Sequence, residues 1–111
     1  MKKRKSAHSV EPDLSSHATL ARLDRVIDAL NHPVRRQILM ALCFRKTMYA
    51  GEIASNYSCA WPTISRHLKV LAKAQVIFVK KKGRQVIYAL NRKQVLSVWE
   101  DWLHYFAEER K

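Results

Sequence analysis

From Leu20 onward the apolar residues of this chain follow first one period and then another. Leu20, Leu23, Ile27 and Leu30 recur at steps of three, four and three, which puts them on one stripe of a first helix. The string "NHP" ends that helix, because His32 precedes a proline and is pushed out of the helical region. Pro33 suits the first turn of a second helix, where a backbone N–H would have had no partner, and Val34, Ile38, Ala41 and Leu42 supply its buried face. A third, short helix is predicted from Ala50, Ile53, Ala54 and Tyr57, and the tight link "SCA" leads from it into a fourth. Two helices joined by about three residues make a helix-turn-helix candidate.

On the fourth helix Ile64, Leu68, Leu71 and Gln75 gather on one side, while Pro62, Arg66, Lys69, Val70 and Lys73 point the other way. Ser65 and His67 fall on the boundaries. The stretch "VIFVKKKGRQVIYAL" then changes the pattern to two β-rich runs around a Lys- and Gly-containing turn, a hairpin with Lys81, Lys82, Gly83 and Arg84 at its tip. A basic hairpin after a helix-turn-helix is a wing. The last helix, from about Asn91 to Glu109, carries Val95, Trp99, Trp102 and Phe106 at steps of four, three and four, a seam broadened by Leu96 and Leu103. A stripe so rich in tryptophan, on a small domain that has already closed its core, suits a partner helix better than water. The predicted fold is mainly α with a small β-hairpin: a winged helix-turn-helix of five helices and a two-stranded wing over residues 14–109, behind a disordered basic tail over residues 1–13.

Composition turns this outline toward a partner. The 111 residues allow one core, and 21 Lys plus Arg against 9 Asp plus Glu give a formal net charge of +12. Such a surplus repels itself unless an anion meets it, which favours nucleic acid or an anionic membrane surface. No apolar run approaches the roughly 18 residues of a membrane span, and no signal-peptide core follows the opening charges, so a soluble cytoplasmic protein without a membrane partner is expected. Cys43 and Cys59 lack the spacing of a zinc or redox motif and fit a reducing cytosol. Cys59, just ahead of the fourth helix and with no basic neighbour, is expected to pack in the core. The opening "MKKRK" reads as a solvated or DNA-touching arm. No Gly-rich phosphate loop, paired carboxylates or nucleophile-base arrangement supports an enzyme.

DNA affinity comes largely from neutralising phosphates, whereas sequence is read by side chains near the N-terminus of a helix in the major groove. Trp61, Pro62, Thr63 and Arg66 occupy that N-terminal turn and outer face. Arg66 has the fork geometry for guanine, Thr63 can meet a base edge or a thymine methyl, and Lys69 and Lys73 suit phosphate. The wing adds Lys81, Lys82 and Arg84. Ser65 is expected to bond backbone or phosphate, and His67 to contact a phosphate or to bridge into the core.

"ALNHPVRRQILMAL" (29–42), "TISRHLKVLAKAQVI" (63–77) and "GRQVIYAL" (83–90) together resemble the ArsR family of bacterial winged-helix repressors. The resemblance runs over nearly all of residues 20–105, and the Ser-x-His-Leu string with the following wing is its most specific part. It implies a homodimer, paired through its first and last helices, that sits on a palindromic operator and blocks transcription until an inducer, here unknown, releases it. Leu20, Leu23, Ile27 and Leu30 with Val95, Trp99, Trp102 and Phe106 would form that dimer interface. Ala60 stands where the family usually has a Ser or Thr N-cap, and Gln75 replaces the usual glycine after the recognition helix. Metal-sensing members carry a Cys-x-Cys pair on the third helix, where this chain has "AGEIASNY", or Asp-x-His with a later His-x-x-Glu on the last. Here only His104 and Glu108 lie one turn apart, short of a full ligand set even with His17 of the partner subunit, so no metal or other cofactor is expected. Two rival readings remain open: a protein-interaction module docking through the Trp-rich last helix, and a metal- or redox-responsive member of the same family.

Overall fold

Proline sets the junction between the first two helices. In the computed structural model, which describes residues 18–107, α1 (Ala18–Leu30) gives way to His32 in extended backbone, φ −161° and ψ 129°, ahead of Pro33. His32 Nδ1 accepts a hydrogen bond from the Val34 amide at 3.1 Å and so caps α2 (Pro33–Arg45) in the manner of an Asn or Ser. Two arginines of α2 close the other side of the junction. Arg35 donates through Nε to the Ala29 carbonyl at 2.6 Å and through Nη2 to that of Asp28 at 3.2 Å, and Arg36 donates to the Leu30 carbonyl at 2.7 Å. These are the last carbonyls of α1, which have no partner within the helix, so part of the positive charge is spent inside the fold.

After α2 the chain turns at Lys46, with φ 72°, into β1 (Thr47–Tyr49), α3 (Ala50–Ser55), α4 (Trp61–Lys73), β2 (Ile77–Lys82), β3 (Gln85–Leu90) and α5 (Arg92–Ala107). The two-stranded wing foreseen from sequence is extended by β1: the antiparallel sheet has order β1-β3-β2, with Met48 opposite Tyr88 and Val79 opposite Tyr88 on its other side. Pairing with β1 satisfies an edge of β3 that would otherwise be bare, and it delivers Met48 into the core. That core joins Leu23 and Val26 of α1, Ile38 and Leu42 of α2, Ile53 of α3, and Ile64, Leu68 and Leu71 of α4 with Val76 and Val98.

Several sequence expectations shift in register. The inward face of α1 is Leu23, Val26 and Ala29, whereas Ile27 is 42% exposed. Helix α3 ends at Ser55, short of Tyr57, so the link to α4 runs over five residues, 56–60, instead of three. Cys59 lies exposed on that link and not in the core, which Ile53 of α3 and Ile64 of α4 enter from either side of it. The expected tail over residues 1–13, and the ends of the predicted domain at 14–17 and 108–109, lie outside the described residues.

The end of α4 is locked to the start of α5. Gln75 takes a φ of 64°, the left-handed turn for which glycine is the usual residue, and Val76 donates back to the Leu71 carbonyl at 3.3 Å. Gln94 Nε2 donates to the Ala74 carbonyl at 3.1 Å, Asn91 Nδ2 to that of Gln75 at 2.8 Å, and the Asn91 amide to that of Val76 at 2.8 Å. Asn91 Oδ1 in turn caps α5 by accepting from the Gln94 amide at 3.3 Å. Arg22 of α1 reaches Gln94 Oε1 at 3.0 Å, Ser97 Oγ at 3.3 Å and Asp101 Oδ2 at 3.6 Å, tying α1 along α5.

Candidate nucleic-acid interface

Burial of Ile64, Leu68 and Leu71 fixes the rotation of α4 and decides what the helix shows outside. Trp61, Pro62, Arg66, Lys69 and Lys73 are exposed, Thr63 and Ser65 half-buried. Trp61, Pro62, Ser65, Arg66 and Lys69 line one shallow cleft on this face. The helix begins without a side-chain cap: Ala60 offers only its carbonyl, which accepts from the Thr63 amide at 3.0 Å and the Ile64 amide at 3.2 Å. Pro62 compensates in part, since its ring presets a helical φ and removes an amide that would have lacked a partner.

The wing turns more tightly than expected. Lys82 pairs with Gln85, leaving a two-residue turn of Gly83, at φ +63°, and Arg84. A positive φ at the first turn position is the reason glycine stands there. Lys81 and Lys82 therefore belong to strand β2 and not to the tip, and strand alternation sends them to opposite faces of the sheet. Lys80, not singled out from the sequence, shares the Lys82 face; the alternation of the run "IFVKKK" was the signal for it. Arg84 lines a hollow between the wing and the start of α3, where Tyr49 and Glu52 also lie. The Glu52 carboxylate is already engaged, accepting from the Tyr49 amide at 2.8 Å and from Arg45 Nη2 at 2.6 Å.

His67 departs from the phosphate-contacting alternative. It is 8% exposed and turned inward, its ring centroid 4.3 Å from that of His32 and its Nδ1 3.4 Å from Arg35 Nη1. Three residues after Ile64 and one before Leu68, it shares their side of the helix. Desolvation, followed by the electrostatic influence of the neighbouring His32, Arg35 and Arg66, lowers its pKa below the ordinary 6.5 and keeps the ring neutral at neutral pH.

The residues expected at a dimer interface separate into three groups. Leu23 is 2% exposed within its own subunit's core and cannot reach another chain. Leu20, Leu30, Val95, Trp99 and Trp102 are half-buried against the same core. Ile27 and Phe106 point outward, as do Leu96 and Leu103, at exposures of 42%, 68%, 49% and 51%. Trp102 and Phe106 meet edge to face at 4.9 Å, linking the inner and outer sides of α5. The buried anchor of α5 is Val98, which lies off the tryptophan stripe.

Among the described residues no three His, Cys, Asp or Glu side chains come together as metal ligands, and His17 and Glu108 lie outside those residues. Cys43 is exposed on α2, with Arg92 Nη2 3.4 Å from its sulfur. No helix among the described residues is long and apolar enough to cross a membrane.

Comparison with known proteins bears on this geometry. Residues 32–77, from the α2 cap to the first residue of β2, match the family model described as bacterial regulatory protein, arsR family. The chain is 39% identical over 87 residues to the transcriptional repressor SdpR of Bacillus subtilis (strain 168), a match covering 78% of this chain and 94% of that protein. An ArsR-like transcriptional regulator from Rhodococcus sp. RHA1 superposes with a TM-score of 0.74 at 24% identity, over 82% of this chain and 85% of that one. A homodimeric winged helix-turn-helix DNA-binding domain from Mycobacterium bovis does so with a TM-score of 0.65 at 22% identity, over 91% of this chain and 96% of that one. At those identities the two structures establish the shared winged helix-turn-helix fold.

Proposed function

The chain belongs to the ArsR family of bacterial regulatory proteins, and on that premise we propose that it is a homodimeric transcriptional repressor that binds a palindromic operator and acts by occluding a promoter. It is a regulator and not an enzyme. The observation that carries the reading is the outward face of α4, where Trp61, Thr63, Arg66, Lys69 and Lys73 stand on a helix whose opposite face is locked into the core. A helix held in that way presents its N-terminal turn to base edges as a rigid unit, while its lysines and those of β2 take phosphates. The +12 charge supplies the sequence-independent attraction. Two copies related by a two-fold axis would engage two half-sites, from which the palindrome follows. A cytoplasmic location accords with that role.

Selection of bound sequences from a random duplex pool tests the reading, with a single enriched inverted repeat as the expected result. On that site Arg66→Ala costs about 1–3 kcal/mol and relaxes discrimination at one base position, because a bidentate contact is lost. Arg84→Ala weakens selected and random duplexes alike and lowers the salt slope by about one unit. No enrichment, or the same effect from both substitutions on both duplexes, would refute the assignment.

A further inference from the structure

The inward side of α4 rests on an arrangement that works in one protonation state only. His32 Nδ1 accepts the Val34 amide hydrogen at 3.1 Å, so that nitrogen carries a lone pair and the ring proton sits on Nε2. His67 Nδ1 lies 3.4 Å from Arg35 Nη1, a group that only donates, which selects the same tautomer. Each ring can therefore gain a proton only at the nitrogen that already receives a hydrogen bond. The rings lie 4.3 Å apart at an interplanar angle of 49°, so a charge on one is felt by the other. Arg35 cannot yield, because its guanidinium stays protonated and is held by the Ala29 and Asp28 carbonyls.

The surrounding charges offer little relief. From α2 come Arg35 and Arg36, and from α4 Arg66; α1 contributes Arg25 and Asp28, which line a neighbouring cleft with Lys73 of α4. Among the described residues no carboxylate is hydrogen-bonded to either imidazole. Three basic groups from the α1–α2 junction and α4, of which His67 is buried and His32 and Arg35 half-buried, thus meet without a hydrogen-bonded carboxylate among the described residues.

We propose that His32, His67 and Arg35 form a proton-sensitive latch, which seats α4 on the α1–α2 junction while the His67 imidazole is neutral and releases it in mild acid. The consequence for DNA rests on α4 being the reading helix; the latch itself does not. A proton on His67 sets a buried cation against Arg35. The sign follows from linkage. With the folded pKa of His67 below the ordinary 6.5, both folded and unfolded chains hold it neutral above about pH 6.5, and its contribution to stability is complete there. As pH falls below that value the unfolded chain takes up a proton that the latched fold refuses, and the contribution declines until the folded pKa is reached. Added positive charge by itself tightens non-specific phosphate binding, so the signature of release is lost discrimination, not lost binding.

Two measurements on the full chain test this, each at pH 7.5 and pH 5.5. One is amide-hydrogen exchange along α4 without DNA, corrected for the intrinsic pH dependence of exchange. The other is the ratio of affinities for the selected and a scrambled duplex. The comparison protein is His32→Asn/His67→Gln, in which Asn still caps α2 and Gln still accepts from Arg35 but neither titrates. The wild type is expected to lose at least tenfold in α4 protection, relative to β3, and at least tenfold in sequence preference; the double variant loses neither. Unchanged protection in the wild type, or an equal loss in the variant, overturns the latch. Should the double variant not fold, nuclear magnetic resonance titration of the wild-type His67 ring decides, since a midpoint that does not coincide with the loss of protection overturns it equally. A protein with no sequence preference at pH 7.5 would instead overturn the DNA assignment, and the exchange measurement would still judge the latch.

Discussion

Gln75 occupies a conformation that its own side chain disfavours, and its neighbours show how that conformation is kept. The φ of 64° costs an L-residue roughly 1–2 kcal/mol, yet the carbonyls on either side and its own are all claimed by Asn91 and Gln94. The Gln75 side chain is exposed, so Gln75→Gly loses no packing. Set against the extra freedom glycine has when unfolded, the change is expected to stabilise the protein by about 0.5–1 kcal/mol, and Gln75→Val to destabilise it by a similar amount. Urea denaturation of the three proteins checks both signs, and a loss of stability in the glycine variant would show that the turn is not strained. This left-handed position was legible in the sequence only through the family resemblance, since nothing local marks a glutamine for positive φ. The orientation of His67 was half legible: helical spacing put it at a boundary, and only its contacts with His32 and Arg35, 35 and 32 residues away, turn it inward.

At the scale of elements, periodicity located the long helices and the β-rich runs, although on α1 it placed Ile27 inward where Val26 and Ala29 are buried. The breadth of α4 and α5 and the wing hairpin could be read from it, and the NHP break between α1 and α2 followed from proline alone. Strand β1 could not. Three residues, "TMY", are too few to display a period, and the strand exists because β3 needs a partner brought by a distant part of the chain. Helix α3 was overextended to Tyr57 because a half-buried residue two positions past a helix end can still fall at helical spacing. The uncapped start of α4 carries a prediction of its own. Ala60 already has cap-like backbone, φ −64° and ψ 152°, so Ala60→Ser can place an oxygen on the helix end without distortion. Its gain is expected at the low end of the usual range, about 0.5 kcal/mol, because Pro62 provides no amide and that of Thr63 already bonds the Ala60 carbonyl. Thermal unfolding monitored by circular dichroism reads the increase; a decrease would show that the helix start is packed too closely to admit the hydroxyl.

For the whole molecule the open question is what meets the outer side of α5. Leu96, Leu103 and Phe106 recur at steps of seven and three, the spacing of a helix seam, and Ile27 of α1 is exposed as well. Trp99 and Trp102, the most conspicuous residues of the stripe, are half-buried against their own core, so charging them would damage the fold and the interface together. Leu103 and Phe106 are about half to two-thirds exposed, and Leu103→Glu/Phe106→Glu separates the two effects. Under the homodimer proposed above, the wild type sediments as a dimer at about 10 µM and the double variant as a monomer that keeps its helical circular dichroism but melts below the wild type, because the stabilisation that dimer formation lends the fold and the Phe106–Trp102 contact are both lost. Operator affinity should then fall by roughly a hundredfold or more, since the second half-site is no longer held at high effective concentration. Binding to a single half-site should stay within a factor of a few, because α4 and the wing are unchanged. A wild type that sediments as a monomer, or a charged variant that remains dimeric, would move the interface away from α5, and an operator affinity unaffected by loss of the dimer would mean that one subunit reads the site alone.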